Sequence, residues 1–444
     1  MREKQVHNYT WKRLDNAAKI FPAAASGTDT QVFRFSCVLR DAVCEKDLQK
    51  ALERTLSSFG VYRYVMKRGF FWYYLEECGA IPAVREEYKE PCGRLYDRNT
   101  GGFLFEVTYF GNRINLEVYH VLSDGTGAMR FLIALAASYI SVHYGIREPY
   151  LEYDASQSQM AKDSFQKYSE KKSGGKSRFR RAYRLRGDTY PENRLKIITG
   201  TASAGEVLEE AHRWGATLSV YLCACMMEAL QEEMPYRKRK RPLVIGVPVN
   251  LRQYFPSDSA RNFFSMTFVS QDCSQGAADF QELLETAKES FRKNLTKENL
   301  SGAINGYMAV ERNVAARVTP LFLKDICLHY AYRISEMRST AAFSNIGRID
   351  VPEEIAPYLE SFDICTATDK LQLCTCTFGD CLSMSFTSPF ISSDIEKHFF
   401  RRLTEAGISV TVASNDCGKE EMPVGTPSEK AFSGSEDREM EAAE

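Results

Sequence analysis

The chain has 444 residues, and because one hydrophobic core rarely grows past about 250–300 residues, this length predicts two to three domain-sized units. Hydrophobic residues make up 44% of the sequence and charged residues 26%, which is typical of a soluble globular protein. The formal net charge is −1, so no global electrostatic field favours nucleic acid or an acidic membrane as a partner.

The N-terminus and the cysteines bear on the cellular location. The first residues run straight into polar sequence, without the apolar segment of a signal peptide. The longest apolar run, residues 131–140, is about half as long as a membrane span. Thirteen scattered cysteines without a secretory signal indicate reduced thiols. We therefore expect a cytoplasmic protein with no membrane span.

The patterns of residues 1–160 predict a first lobe of α+β type. Apolar and polar residues alternate over 31–39, which predicts a half-buried strand with Arg34 and Ser36 on its outer face. A leucine at every fourth position predicts a helix over 45–58. Further strands are predicted at 61–66, 70–75, 103–109 and 114–119, and a further helix at about 127–143.

Residues 161–190 are expected to separate this lobe from a second one. They are rich in Ser, Lys, Arg and Gly, which predicts a basic linker or crossover; a patch for carrier or nucleotide phosphates is the alternative. The second lobe is expected over 191–414, with helices at 203–214, 217–234, 277–294, 301–316 and 393–405 and strands at 243–249, 340–349, 371–378 and 382–387. The Gly-, Ser-, Pro- and Glu-rich residues 415–444 are predicted to be disordered.

A histidine at the end of a strand is the strongest candidate for chemistry. The strand 114–119 ends just before His120, so its imidazole can project into a cleft, and a reference pKa of ~6.5 suits a base. Asp124 follows where a helix begins, and we expect it to cap that helix or to pair with an arginine. Gly125 removes side-chain bulk beside the imidazole. A chance turn followed by a helix cap is the alternative for so short a motif.

Four segments in one chain order give this motif a context. They are Phe59-Gly60-Val61-Tyr62-Arg63, Tyr119-His120-Val121-Leu122-Ser123-Asp124-Gly125, Pro248-Val249-Asn250-Leu251-Arg252 and Phe343-Ser344-Asn345-Ile346-Gly347-Arg348. Across most of residues 10–405, the sequence resembles the chloramphenicol-acetyltransferase-like superfamily of HxxxD acyltransferases. Its members include alcohol acetyltransferases, plant acyltransferases and the condensation domains of peptide synthetases. Residues 119–125 resemble the active-site motif of that superfamily.

Departures from the pattern narrow the resemblance. Condensation domains usually carry two adjacent histidines, whereas position 119 is Tyr, which counts against peptide-bond synthesis on carrier proteins. The Asp-Phe-Gly-Trp-Gly motif of the plant enzymes is absent from the sequence. Ser344-Asn345 resembles the alcohol acetyltransferase branch more than either of those two groups.

The resemblance implies a fold and a reaction. The fold would be α+β, with two lobes of mixed β-sheets flanked by helices and an active-site tunnel between them. Acyl-CoA would enter as co-substrate, and His120 would take the proton from a hydroxyl or amine acceptor as it attacks the thioester. The transfer would be direct, and its rate should fall below about pH 6.5 as the imidazole becomes protonated. Asn250, Ser344 and Asn345 are the candidate donors to the oxyanion or to the tunnel wall.

The resemblance also assigns Asp124 a structural part. It would pair with an arginine and brace the loop, and Arg63 is slightly preferred over Arg252 because it lies in the same lobe. We expect no bound cofactor and no metal. Cys374 and Cys376 would share one face of a strand, but a zinc site would want a different spacing of cysteines and histidines.

A reading from another class stays open. The chain would then be a non-catalytic or carrier-dependent relative of condensation domains that binds an acyl chain or a synthetase partner. In the preferred interpretation, its partners are a small-molecule acyl donor and a hydrophobic alcohol, amine or polyketide acceptor, with an acyl carrier protein as a further candidate and no nucleic acid. Turnover of acyl-CoA with a long-chain alcohol distinguishes the two readings.

Overall fold

The structure is a computed structural model that describes residues 11–97, 101–149, 151, 163–169, 180–313 and 317–416. Of the predicted linker and tail, residues 161, 162, 170–179 and 417–444 lie outside the described residues. The strands form a five-stranded, a seven-stranded and a three-stranded sheet, and helices flank them.

The strands, in chain order, are β1 (Trp11–Arg13), β2 (Val32–Leu39), β3 (Tyr64–Arg68), β4 (Tyr73–Glu77), β5 (Arg85–Glu86), β6 (Phe105–Phe110), β7 (Arg113–Tyr119), β8 (Lys196–Ser203), β9 (Leu243–Asn250), β10 (Phe264–Gln271), β11 (Ala341–Arg348), β12 (Leu359–Thr366), β13 (Gln372–Phe378), β14 (Cys381–Ser388) and β15 (Thr411–Ser414). The α-helices are α1 (Phe21–Ala24), α2 (Glu45–Ser58), α3 (Gly125–Tyr144), α4 (Ser164–Tyr168), α5 (Ala204–Arg213), α6 (Leu218–Glu232), α7 (Phe280–Asn294), α8 (Lys297–Arg312), α9 (Leu321–Glu336) and α10 (Asp394–Glu405).

The first lobe is built on the five-stranded sheet, in the order β12-β2-β7-β6-β5. β2 and β7 are antiparallel, and Val32 lies opposite Tyr119, so the end of β7 is beside the start of β2. α3 is buried along most of its length and packs with α2 into the same core. His120, the residue that follows β7, therefore extends from a well-packed sheet.

The strand predicted over 31–39 is present as β2, but the prediction of an exposed outer face was wrong. Arg34 and Ser36 are both buried. Arg34 pairs with Glu117 of β7 at 2.9 Å, and the Ser36 hydroxyl donates a 2.8 Å hydrogen bond to Asn115. Partners on the neighbouring strand thus replace the water that these polar groups would otherwise need.

The second lobe is built on the seven-stranded mixed sheet, in the order β10-β9-β11-β13-β14-β8-β15. β11 runs parallel to both of its neighbours. One face, which includes Phe343, packs against α6, α7 and α10. The opposite face, which includes Cys374, packs into the core of the first lobe. This sheet therefore has a hydrophobic core on each face. The core on the face that includes Cys374 joins the two lobes.

The chain does not divide between the lobes at a single point. β12 belongs to the predicted C-terminal lobe of residues 191–414, yet it pairs antiparallel with β2 and extends the first sheet. α9 also lies against the first lobe, where the Tyr332 hydroxyl accepts a 3.1 Å hydrogen bond from Gln31 Nε2. The division into residues 1–160 and 191–414 therefore describes the order of the chain better than its contacts.

Two further findings concern the tail and α3. Asn415, the first residue of the predicted disordered tail, hydrogen-bonds the backbone of Leu195 and Ile197 beside β8. Among the described residues, α3 is the one helix whose length and composition would let it cross a membrane, and 78% of its most apolar 18-residue window is buried within the protein. A core helix has the same properties.

Candidate active site

His120 lies where β7 ends, on the side of the first lobe that faces the second. Its backbone N–H donates a 2.9 Å hydrogen bond to the Gln31 carbonyl, and its own carbonyl accepts one of 2.8 Å from Asn262 Nδ2. Gln31 has a φ of 60°, a left-handed conformation that is uncommon for residues other than glycine. One bond from each lobe thus fixes the backbone that carries the imidazole.

Three aromatic rings surround the imidazole of His120. Phe21 of α1 stacks on it with ring centroids 5.0 Å apart, Phe33 of β2 lies at 4.5 Å and Phe264 of β10 at 6.0 Å. The side chain is half-buried, and its Nδ1 is enclosed without a hydrogen-bond partner in the part of the chain that the structure describes. The ring therefore has apolar surroundings that both lobes contribute.

These surroundings change the acidity of the imidazole. Burial lowers the pKa of His120 from 6.5 to about 4, because it penalises the charged imidazolium. The Asp124 charge, the Asn262 amide and the backbone at Ser123 oppose that change only in part. The imidazole is therefore neutral at neutral pH, as a general base must be. The limit of about pH 6.5 expected from the sequence is too high for this environment.

Asp124 is occupied by three hydrogen bonds and makes none to the imidazole. Its Oδ1 accepts from the Gly127 N–H at 3.0 Å and so caps α3. Its Oδ2 accepts from Arg252 Nη1 at 2.7 Å and from the Phe263 N–H at 2.8 Å. The sequence left a helix cap and an arginine pair as alternatives, and this carboxylate serves as both.

The arginine that pairs with Asp124 is Arg252, and the preference for Arg63 was wrong. Arg252 is held in place because its Nε and Nη2 also donate to the Ser259 carbonyl, at 3.1 and 2.8 Å. Arg63 ends the turn before β3, and its enclosed Nε has no hydrogen-bond partner within the described ranges. Membership of the same lobe was a poor guide, because the loop after β9 folds over the start of α3.

Two glycines allow this close approach of the lobes. A Cβ on Gly127 would lie 2.1 Å from the Ala260 carbonyl oxygen and 2.2 Å from Ser123 Oγ, so no larger residue fits there without movement. A Cβ on Gly125 would lie 3.1 Å from Cδ1 of Ile346 on β11. The missing bulk at Gly125 thus makes room for β11 of the second lobe.

Of the predicted oxyanion donors, Asn345 is engaged elsewhere through its Nδ2, whereas Asn250 is held through its acceptor oxygen. Asn250 Oδ1 accepts from the Arg252 N–H at 3.1 Å, so this side chain supports the arginine. Asn345 Nδ2 donates to Ser219 Oγ at 2.8 Å, and its Oδ1 accepts from the Gly347 N–H at 2.8 Å. The Asn345 amide therefore binds the start of α6.

Ser344 has a different environment. It pairs across the sheet with Cys374, which is buried in the core of the first lobe. Because paired residues on neighbouring strands point to the same face, the Ser344 side chain faces the first lobe. Its hydroxyl makes no hydrogen bond to any residue that the structure describes, so it is available to a ligand.

Sequence reasoning missed two polar residues beside His120. Asn262 was not predicted to belong to the site, yet its Nδ2 donates to the His120 carbonyl and lies 3.3 Å from Asp15 Oδ2. Asp15 is fully buried, with Arg261 at 3.4 Å, and burial raises the pKa of its carboxyl. No pattern near residue 15 signals this contact, because it forms only when the lobes meet.

One group of side chains within the described part of the chain has a metal-like arrangement. Cys44, Asp47 and His143 offer ligand atoms within 4.8 Å of one another, at the other end of α3 from Asp124. The Asp47 carboxylate bonds His143 Nδ1 at 3.0 Å and Lys50 Nζ at 3.1 Å, and these contacts lower its pKa. Packing of α2 on α3 thus accounts for the group, and the absence of a metal stays a prediction.

Cys374, the other candidate considered for a metal, is buried, and this burial raises the pKa of its thiol to about 12.

Comparison with known proteins bears on the fold. No family model and no curated protein sequence matches the chain. The solved structure of TRI3, a trichothecene 15-O-acetyltransferase from Fusarium sporotrichioides, is similar with a TM-score of 0.60 and 11% identity over 90% of this chain and 95% of that one. TRI101 from F. graminearum, solved with coenzyme A and deoxynivalenol, also gives 0.60 and 11%, over 89% and 97%.

Peptide-synthetase domains are similar as well. The epimerization domain from the third module of tyrocidine synthetase B gives a TM-score of 0.56 and 11% identity, over 90% of this chain and 96% of that one. Identities this low are informative about the fold alone. Acetyltransferases that bind coenzyme A and condensation-like domains nevertheless share it across nearly the whole chain. The chain therefore has the fold of the chloramphenicol-acetyltransferase-like superfamily, which confirms the resemblance at the level of the fold.

Proposed function

We propose that this protein is an acyltransferase that moves an acyl group from acyl-CoA to a hydroxyl or amine acceptor, with His120 as the general base. The observation that carries the proposal is the imidazole that follows β7, half-buried between the lobes among aromatic rings from both of them. The fold supports it, because one similar structure is an O-acetyltransferase and another was solved with coenzyme A. We favour ester formation on a hydrophobic alcohol.

The reaction balances with His120 as the only proton carrier. The acceptor oxygen or nitrogen attacks the thioester carbonyl carbon while the imidazole takes its proton. We assign this proton to Nε2, because Nδ1 is enclosed. The tetrahedral intermediate then expels the coenzyme A thiolate, the carbon–sulfur bond breaks, and the thiolate takes the proton back. The nearby Asp124 charge favours the transient imidazolium.

We propose direct transfer without an acyl-enzyme. Ser123 is the aliphatic hydroxyl closest to His120 in sequence, and it donates a hydrogen bond to the Ala260 carbonyl, which does not activate it as a nucleophile. For the oxyanion we favour Ser344, because its hydroxyl is available and faces the first lobe. A donor of this kind lowers the barrier by about 2.7–4 kcal/mol, so Ser344→Ala should lower kcat by about two to three orders of magnitude.

The test of the proposed base is His120→Ala, assayed by release of the coenzyme A thiol with a long-chain alcohol as acceptor. Removal of a general base should lower the rate by about 10²–10⁴-fold, and the melting curve should change little. His143→Ala is the matched control, because His143 is also a half-buried histidine but lies at the far end of α3. Turnover by His120→Ala at the rate of the control variant would overturn the assignment.

A binding function is the second candidate. Its support is the similarity to the X-domain from teicoplanin biosynthesis, solved in complex with OxyB, at a TM-score of 0.51 and 13% identity over 91% of this chain and 93% of that one. In that case the chain would bind an acyl chain, an acyl carrier protein or a synthetase partner without turnover. Binding of a phosphopantetheinylated carrier by a chain that consumes no acyl-CoA would favour this function.

A further inference from the structure

The outer face of α9 is apolar and exposed to solvent. Phe322, Ile326, Tyr330 and Ile334 follow one another at four-residue intervals, and each side chain is more than half exposed. Residues spaced in this way share one side of a helix. A helix of a globular protein ordinarily turns such a stripe towards the core, so this face requires another explanation.

The stripe continues into the hairpin between β3 and β4. Phe70 and Phe71 are exposed at the tip of that hairpin, and their rings contact each other. The Leu321 N–H donates a 2.9 Å hydrogen bond to the Phe70 carbonyl, and Lys324 Nζ donates one of 2.8 Å to the Phe71 carbonyl. The tip is therefore fastened to the first turn of α9. We call the joint surface of Phe70, Phe71, Phe322, Ile326, Tyr330 and Ile334 the docking surface.

The docking surface exposes a continuous apolar area. Its side chains are between 43% and 72% exposed, which amounts to an apolar area on the order of 600 Å² if each large side chain offers roughly 150–250 Å². The largest apolar patch on a typical monomer is about 300–600 Å² and often has a function. The area of the docking surface lies at the upper end of this range, where a binding function is common.

Exposed cations lie beside the docking surface, and one of them, Lys67, also has the Glu76 carboxylate at 3.8 Å. Lys67 and Arg68 precede the two phenylalanines at the hairpin tip, and Arg333 lies on the exposed side of α9; all three side chains are exposed. The acidic residue in the first turns of α9, Asp325, is buried and accepts a 2.9 Å hydrogen bond from the Tyr73 hydroxyl. The surface thus combines aromatic and aliphatic side chains with exposed cations.

We propose that the docking surface binds peripherally to a lipid bilayer that carries anionic headgroups. Aromatic and aliphatic side chains enter the headgroup region, while Lys and Arg contact the phosphates. Pairing with a second copy of the chain fits less well, because a two-fold contact would place this cationic rim against itself. The net charge of −1 gives no sign of such a site, since it averages this local rim over the whole surface.

The docking surface lies on the reverse side of groups that surround His120. On the inner face of α9, the Tyr332 hydroxyl contacts Gln31, whose carbonyl binds the His120 N–H. His329 Nδ1 lies 3.0 Å from the Ala23 carbonyl of α1, the helix that carries Phe21. A bilayer bound to the docking surface would therefore lie on the opposite side of α9 from these groups. The binding itself does not depend on acyl transfer.

The test is co-sedimentation of the full chain with vesicles of phosphatidylcholine, with or without phosphatidylglycerol. We expect binding to the anionic vesicles, weaker binding to the neutral ones, and loss of binding at high salt. Ile326→Asp places a charge in the centre of the stripe and should weaken binding by at least about tenfold. Phe70→Ser with Phe71→Ser is a second variant at the other end of the surface, and melting curves confirm that both variants fold.

Tyr236→Ser is the matched control, because Tyr236 is an exposed aromatic residue of the second lobe, outside the docking surface; it should bind as the unaltered chain does. Failure of the unaltered chain to sediment with anionic vesicles would overturn the proposal, and so would equal binding by Ile326→Asp. Light scattering adds a third outcome. A dimer that Ile326→Asp converts to monomer, without vesicle binding by either, would make this face a contact between copies instead.

Discussion

Arg252 Nη1 of the second lobe donates a 2.7 Å hydrogen bond to Asp124 Oδ2 of the first, and both side chains are buried. The same carboxylate caps α3. This pair therefore fixes two things at once, the start of the helix that follows His120 and the position of the second lobe beside it.

Breaking this pair should destabilise the protein strongly. Arg252→Ala leaves the Asp124 carboxylate buried without its cation, which typically costs about 3–5 kcal/mol of the free energy of unfolding. Urea denaturation of Asp124→Ala, Arg252→Ala and the double variant should give a coupling energy of about 1–3 kcal/mol. The exposed pair Arg348–Asp350, at 2.8 Å, is the control and should give less than about 0.5 kcal/mol. Equal coupling in the two pairs would contradict the structural role.

Gly127 should tolerate no side chain. A Cβ there would lie within 2.2 Å of two neighbours, one of them a backbone carbonyl oxygen, so Gly127→Ala should lower the free energy of unfolding by at least about 2 kcal/mol. Gly306→Ala in α8 is the control, because a Cβ at that position meets nothing within 4 Å. It should stabilise the protein by about 0.5–1 kcal/mol. A Gly127→Ala protein as stable as the control would show that the loop yields easily.

The activity should persist well below neutral pH. With the pKa of His120 lowered to about 4, the base stays neutral at pH 6, and kcat/KM should decline only as the pH approaches about 4. The stability of the folded protein should also decrease as the pH falls. The imidazole of the unfolded chain binds a proton near pH 6.5, and that of the folded chain only near pH 4. The free energy of unfolding therefore decreases as the pH falls through that interval.

A comparison with His120→Ala isolates this contribution. The free energy of unfolding, measured by urea denaturation at several pH values, should fall less steeply between pH 6.5 and 4 in His120→Ala than in the unaltered chain. Identical slopes would mean that the imidazole titrates as it does in water. Other carboxyls contribute equally to both proteins, so the difference reports on His120.

Asn262 should act as a positioning residue. Its Nδ2 donates to the His120 carbonyl at 2.8 Å, and a misplacement of a catalytic group by about 1 Å can cost about 10²-fold in rate. Asn262→Ala should therefore lower kcat by about 10–100-fold with little change in the KM for acyl-CoA, once rates are corrected for the folded fraction. A purely structural role would leave kcat per folded molecule unchanged.

Local patterns were sufficient for the elements next to the site. A leucine at every fourth position predicted a helix over 45–58, and α2 spans Glu45–Ser58. The strand predicted at 114–119 is β7, Arg113–Tyr119, and it ends just before His120. These elements are regular because one face of each meets a core, and that periodicity is written in neighbouring residues.

Long-range contacts were not accessible in the same way. The choice of Arg252 over Arg63 depends on a loop that folds across 128 positions of the chain, and no local pattern encodes it. The stretch around His329 looked helical in the sequence, but the bounds of α9 were not predicted, because apolar residues lie on its exposed face and weaken the amphipathic signal. The aromatic rings around His120 come from α1, β2 and β10, and only the folded chain brings them together.

The placement of β12 has a consequence for synthesis of the chain on the ribosome. Until residue 366 has emerged, β2 is paired only with β7 and forms the edge of the sheet, and such edges invite association with other chains. The N-terminal half therefore cannot complete its sheet while the rest is being made, although domains generally fold as they appear. A separately expressed N-terminal half would keep that open edge permanently. A peptide with the sequence of β12 should then pair with it.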